Sequence, residues 1–270
     1  MKKRWMALLG AAAVTMNLFA GCGSTGAEQT GNNADGTATE AVQGKDSAGD
    51  GNAAQSVAGT ADTVIVAMSP SSEPAAGFNP CINWGCGEHC HEPLIQSTLI
   101  RTNVDMEFEN DLATDYSVSE DGLTWTFHIR DDVKFTDGEP LTASDVAFTF
   151  NTALATPNSE ADLSMLDSVE AVDDTTVVFH MSKPYNAFLY TLAVFGIVPE
   201  HCYDEATYGE NPVGSGRYVL TQWDKGQQAV LEANPDYYGD EVQMKKVVVL
   251  FMEEDAALAA VKAGQVDIAY

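Results

Sequence analysis

The chain has 270 residues, 45% hydrophobic and 20% charged, with a formal net charge of −27. That is enough apolar material for one large domain or two ordinary ones. The acidic balance excludes nucleic acid as a partner, and it excludes docking on an anionic membrane through the protein surface, because both need clustered Lys and Arg.

Lys2, Lys3 and Arg4 precede an apolar run from Trp5 to Ala20. This is a targeting pattern, too short to span a bilayer comfortably, and no later stretch reads as a span. It closes on LFAGC, Leu18 to Cys22, which resembles the lipobox of bacterial lipoproteins. The resemblance implies a signal peptide over residues 1–21 and a lipid on Cys22; an ordinary secretory signal is the alternative, and both imply export. Loss of the three basic residues would leave the mature chain at −30, a charge read as solubility. Residues 22–61 are rich in Gly, Ala, Ser, Thr, Asn and Asp and contain no aromatic residue. Such a composition buries too little apolar surface to offset its ordering entropy, so a flexible tether is expected there and a folded body over 62–270.

Within that body DTVIVAM, Asp62 to Met68, reads as a buried strand, and EPLIQSTLI, Glu92 to Ile100, as a short helix or an extended apolar segment. DLATDYSVSEDG reads as a polar connection turning at Asp121-Gly122. LTWTFHIR, Leu123 to Arg130, alternates as a half-buried strand does, placing Trp125 and Phe127 in the core with Phe135. After a turn at Asp137-Gly138, Thr142 with Asp145 predicts a capped helix whose face carries Val146, Phe150 and Leu154. A hairpin is expected around Asp173-Asp174, a half-buried helix in NAFLYTLAVFG, and a second hairpin across Asp224-Lys225-Gly226. KKVVVLFM is another buried strand, DAALAAVKAG a helix ended by Gly264, and QVDIAY the start of a further strand. Gly214 and Gly216 are expected to serve a tight backbone. The interspersed strands and helices give an α/β class without the strict alternation of a TIM barrel.

Several of these stretches together resemble the family 5 solute-binding proteins of ABC importers, which carry peptides, nickel or other small solutes. DGLTWTFHIRDDVKFTDGEPLTASDVAFTF, Asp121 to Phe150, is similar to the family signature over its whole length. NPVGSGRY at Asn211, NPDYYG at Asn234 and AALAAVKAGQVDIAY at Ala256 follow in the family order. The resemblance implies a periplasmic-binding-protein-like fold of class II, a two-lobed clamshell, of which residues 62–270 would supply the first lobe and its extra subdomain. QVDIAY ends on an apolar strand without a turn or polar tail, so the chain is expected to be a fragment lacking the second lobe. The implied role is capture of oligopeptides or a nickel or other metal complex outside the membrane. A permease and an ATPase would be the partners, a lipid the membrane anchor, and a monomer the expected state.

The densest chemistry lies in CINWGCGEHCHEP, Cys81 to Pro93. In the family this loop borders the ligand cleft, so the resemblance implies ligand contact for Trp84, Cys86 and His89. Arg217, standing where the family usually has proline, is a further candidate. Cys86, His89 and Cys90 also offer soft donors for a transition metal, although their spacing is not that of a paired-cysteine zinc site. As an exported protein the chain could instead form disulfides among Cys81, Cys86, Cys90 and Cys202, or keep free thiols. These readings stand side by side. No bound cofactor is expected beyond a metal carried as ligand. Catalysis is not expected either: Cys90-His91 and His201-Cys202 are sequence neighbours, which rarely place a base on a thiol, and no phosphate loop, His-Glu-x-x-His or Gly-x-Ser-x-Gly occurs. From another functional class, the alternative is a surface metal- or redox-buffering lipoprotein without a transport role.

Overall fold

The computed structural model describes residues 61–82, 92–156 and 163–270. Residues 1–60, with Cys22, the signal sequence and most of the tether, lie outside the described residues, as do residues 83–91.

The first strand, β1 (Thr63–Met68), sits inside a five-stranded sheet of order β11-β1-β10-β9-β8, with β8 at Tyr218–Asp224, β9 at Gln228–Ala233, β10 at Lys246–Phe251 and β11 at Ile268–Ala269. Its neighbours β10 and β11 run parallel to it, whereas β10, β9 and β8 form an antiparallel meander. A continuous apolar run suits a strand covered on both faces. Ile65 and Ala67 pack with Ala257 and Val266, contributed by and beyond the last helix, while Val64 joins Ile95, Tyr218, Leu231 and Val247.

A second, antiparallel sheet has the order β4-β5-β7-β6, with β4 at Ala113–Val118, β5 at Thr124–Ile129, β6 at Leu166–Asp173 and β7 at Thr176–Met181. Trp125, Phe127 and Ile129 of β5 are buried and Phe179 of β7 meets them from the next strand. Helix α1 (Ala143–Ala155) covers this face through Val146 and Phe150. Its start is fixed as the capping pattern predicts: the Thr142 N–H donates to Asp145 Oδ2 at 2.8 Å, and Asp145 Oδ1 accepts the Glu200 N–H at 2.9 Å. Helix α2 (Phe188–Val194) adds Phe188 and Leu192 to the same core, and α3 (Glu254–Lys262) ends before Gly264, whose φ is +69°. Among the described residues no helix is long and apolar enough to cross a membrane.

One expectation needs correction. ATDYSV is a strand, β4, and not part of a connection: it is an edge strand with only Ala113 buried, so no apolar alternation marks it. The aromatic side chain of Tyr116 nevertheless stacks on Phe127 with centroids 5.1 Å apart. EPLIQSTLI, expected as a short helix or an extended apolar segment, does not form the helix. Its Ile95–Leu99 portion is buried as irregular backbone, and its end enters β2 (Ile100–Thr102), which pairs with β3 (Phe108–Asn110).

Candidate functional site

Trp84, Cys86, His89 and Cys90 lie outside the described residues, but both ends of their loop are described. At the upstream end Cys81 is fully buried among Val198, Tyr208, Phe148 and Tyr203. Its N–H donates to Asn79 Oδ1 at 3.0 Å and its Sγ lies 3.7 Å from the Thr149 carbonyl oxygen. Burial pushes the thiol up to about 12, so Cys81 is an inert core group. Of the alternatives left open for Cys81 and Cys202, the free thiol is the one found: the first is buried in the core and the second exposed beside Asp137. Cys86 and Cys90, the other possible disulfide partners, are outside the described residues.

At the downstream end the chain is clamped onto the approach to β8. The N–H groups of Gly216 and Tyr218 donate to the carbonyls of Ile95 and Leu94 at 2.8 and 2.9 Å. This approach requires glycine, because a Cβ on Gly214 would lie 2.0 Å from the Ile95 oxygen and one on Gly216 would lie 2.6 Å from the Leu94 oxygen. Asn234 completes the clamp, donating through Nδ2 to the Gly216 carbonyl at 2.9 Å while its own N–H reaches the Arg217 carbonyl at 2.9 Å.

This backbone framework brings a charged and aromatic cluster to the loop end. Arg217 forms an ion pair with Glu92, the first described residue after the loop, and lies over the Tyr237 ring with its Cζ 5.5 Å from the centroid. Arg130, held bidentately by Asp132 at 2.8 Å, lies 4.9 Å over the neighbouring Tyr238 ring. Asp111 enters from the connection between β3 and β4. Burial raises its carboxyl above the ordinary value; contact with the Tyr238 hydroxyl opposes that rise, Glu92 adds to it, and Arg101 and Arg217 oppose it. The Tyr238 hydroxyl is buried beside the Asp111 carboxyl and the Ser97 hydroxyl. A paired guanidinium, a partly desolvated carboxyl and half-buried tyrosine rings can hold a small solute bearing both charges. They contain no nucleophile set against a base.

Of the sequence-derived candidates, Arg217 is thus brought to the loop end. Asp111, Tyr237, Tyr238 and Arg130 were not singled out by sequence: the two tyrosines are neighbours in NPDYYG, but no local spacing links them to Asp111 or Arg130.

Because burial raises the folded-state value of Asp111, the stability it contributes is fully present below its unfolded value and is lost as pH rises through the folded one. Asp111→Asn should therefore raise the urea midpoint at neutral pH, with the gain shrinking in mild acid. A variant less stable than the parent at neutral pH would mean that pairing with Arg101 and Arg217 outweighs desolvation.

Residues 107–270 match the family model described as bacterial extracellular solute-binding proteins, family 5 Middle. Over 198 residues the chain is 34% identical to the protein named "Probable D,D-dipeptide-binding periplasmic protein DdpA" of Escherichia coli strain K12, covering 69% of this chain and 38% of that one. Its fold is similar to the crystal structure of NikZ from Campylobacter jejuni in complex with Ni(L-His), with a TM-score of 0.68 and 28% identity over 77% of this chain and 43% of that one. It is also similar to the oligopeptide-binding protein AppA from Bacillus subtilis in complex with a nonapeptide, with a TM-score of 0.63 and 26% identity over 76% of this chain and 43% of that one. The chain therefore spans about two fifths of the length of these proteins. The mixed α/β architecture is the periplasmic-binding-protein class expected from the sequence.

Proposed function

The chain belongs to the bacterial extracellular solute-binding proteins of family 5, and on that premise we propose that it captures a short peptide outside the membrane and hands it to an ABC permease driven by its ATPase. The family is one of binding proteins and not of enzymes. In this reading Cys22 carries the lipid that holds the protein at the membrane.

The observation that carries the peptide reading is the cluster at the loop end. Arg217 suits a carboxylate, Asp111 and Glu92 suit an ammonium group, and the Tyr237 ring offers an apolar wall. Arg217 is already paired with Glu92, so a ligand carboxylate would exchange with that side chain at little electrostatic cost. The 34% identity to a protein named "Probable D,D-dipeptide-binding periplasmic protein DdpA" supports the same class. A metal complex is the second reading, favoured by the donors Cys86, His89 and Cys90 in the loop and by the likeness to the nickel-histidine-bound structure.

Calorimetry on the full-length protein with dipeptides and with nickel-histidine tests both. Saturable binding of a dipeptide is expected, weakened about tenfold, or about 1.4 kcal/mol, by Arg217→Ala. Binding of nickel-histidine alone, lost with Cys86→Ser and His89→Ala, would replace the peptide reading. Bare metal ions taken up with neither solute bound would favour a buffering lipoprotein.

A further inference from the structure

A donor set lies outside the cluster at Glu92 and Arg217. Asp137 Oδ2, His201 Nε2 and Cys202 Sγ all lie within 4.8 Å of one another, and all three residues are exposed. Oδ2 is 2.7 Å from the imidazole nitrogen and 3.8 Å from the sulfur.

Both segments that present these groups are braced from behind. Asp137 sits in the turn where the Gly138 N–H donates to the Phe135 carbonyl at 2.9 Å, and its Oδ1 accepts the Glu139 N–H at 3.2 Å, leaving Oδ2 to face His201 and Cys202. His201 and Cys202 belong to the single helical turn Glu200–Cys202. That turn is tied to α1 by the Glu200 N–H on Asp145 and by Ser144 Oγ donating to Glu200 Oε2 at 2.6 Å. The Phe135 ring lies 6.0 Å from the His201 ring, limiting its freedom.

We propose that Asp137, His201 and Cys202 form a surface site for a divalent transition-metal ion of the zinc type, sharing no residue with the loop or with the Glu92 and Arg217 cluster. A carboxylate, an imidazole and a thiolate are the donor types that zinc accepts, at about 2.0–2.3 Å each. Tetrahedral placement at those lengths sets donors roughly 3.3–3.6 Å apart. The oxygen-to-sulfur separation is already close to that, and the oxygen-to-nitrogen pair need open only by about half an ångström as the ion takes the place of the hydrogen bond. On binding, Cys202 gives its proton to solvent; thiolate and carboxylate then balance the two charges of the ion, and the imidazole remains neutral. Three protein donors at an exposed position leave a fourth for water or for a donor from a partner molecule.

The test is titration of the reduced full chain carrying Cys86→Ser, Cys90→Ser and His89→Ala, which silences the loop, with cobalt(II), followed by zinc competition. A thiolate-to-cobalt charge-transfer band that zinc displaces is expected. Cys202→Ser should abolish the band; Asp137→Asn and His201→Gln should each weaken cobalt binding about tenfold or more. Melting curves without metal establish that each variant is folded, and His201→Ala substitutes for any that is not. A band that survives Cys202→Ser, or no band in the parent, overturns the proposal. So does unchanged affinity in both the Asp137 and His201 variants.

Discussion

Phe127→Ala is expected to cost about 3–5 kcal/mol of unfolding free energy, the range for truncating a buried aromatic in a core that cannot collapse around the void. Phe127 has no solvent exposure. It sits in β5, a central strand of the four-stranded sheet, between Tyr116 on one side, stacked at 5.1 Å, and Phe179 on the other, meeting it edge-on at 5.5 Å. The Phe179 ring in turn touches Phe150 of α1 at 5.0 Å and Phe188 of α2 at 5.3 Å. The hole would therefore open beside Phe179, the ring on which both helices converge, and Phe179 could not move into it without leaving Phe150 and Phe188. His128→Ala, next along the same strand but on the exposed face, should change stability by no more than about 0.5 kcal/mol. Urea unfolding of both variants measures this as a shift in midpoint at constant slope. A loss below about 1 kcal/mol for Phe127→Ala would mean that this core repacks freely.

That contrast between neighbours shows why β5 was legible in the sequence. LTWTFHIR writes its two faces as alternating residues, and burial of Trp125, Phe127 and Ile129 follows the alternation. The capped start of α1 and the hairpin between β6 and β7 were legible for the same reason: each is decided by residues within a few positions of one another. β4 was not, because every residue after Ala113 is exposed, so no apolar alternation marks it, and its pairing comes entirely from β5. The family resemblance drew on the same long signature, so the architecture was available before any contact was known.

Of the cluster at the loop end, the sequence singled out Arg217 and not the residues around it. Arg217 and Glu92 stand 125 positions apart, and Asp137 is 65 from Cys202. Contacts across such separations leave no periodicity in the chain, since they depend on how strands and turns are brought together. Adjacent cysteines and histidines are what a chain shows as metal donors, whereas among the described residues the three groups close enough to share an ion come from two turns far apart in the chain. Cys81 shows the converse: its place in a cysteine-rich loop left a bridge or a free thiol open, and it is a free thiol packed in the core beside Tyr203 and Tyr208.

Gly214→Ala is expected to be the most damaging single-methyl change near the loop end, costing about 1–3 kcal/mol or more as overpacking against backbone. The added Cβ would fall 2.0 Å from the Ile95 carbonyl oxygen and 2.8 Å from its carbon, neither of which can rotate away. Relief requires the Leu94–Ile95 backbone to move off the approach to β8. That movement would stretch the bonds from Gly216 and Tyr218 to the Ile95 and Leu94 carbonyls, and it would carry Glu92, two residues upstream, away from Arg217. Amide exchange reads this locally: the Gly216 and Tyr218 N–H groups should exchange much faster, while Phe127 and Phe179 in the other sheet keep the protection that global stability dictates. Gly138→Ala is the control. Its Cβ would meet nothing within 4 Å, and its φ of +96° restricts the cost to backbone strain in an exposed turn. Slow exchange at Gly216 and Tyr218 in Gly214→Ala would show that the segment slides without losing its bonds, and the loop end would then not depend on glycine at this position.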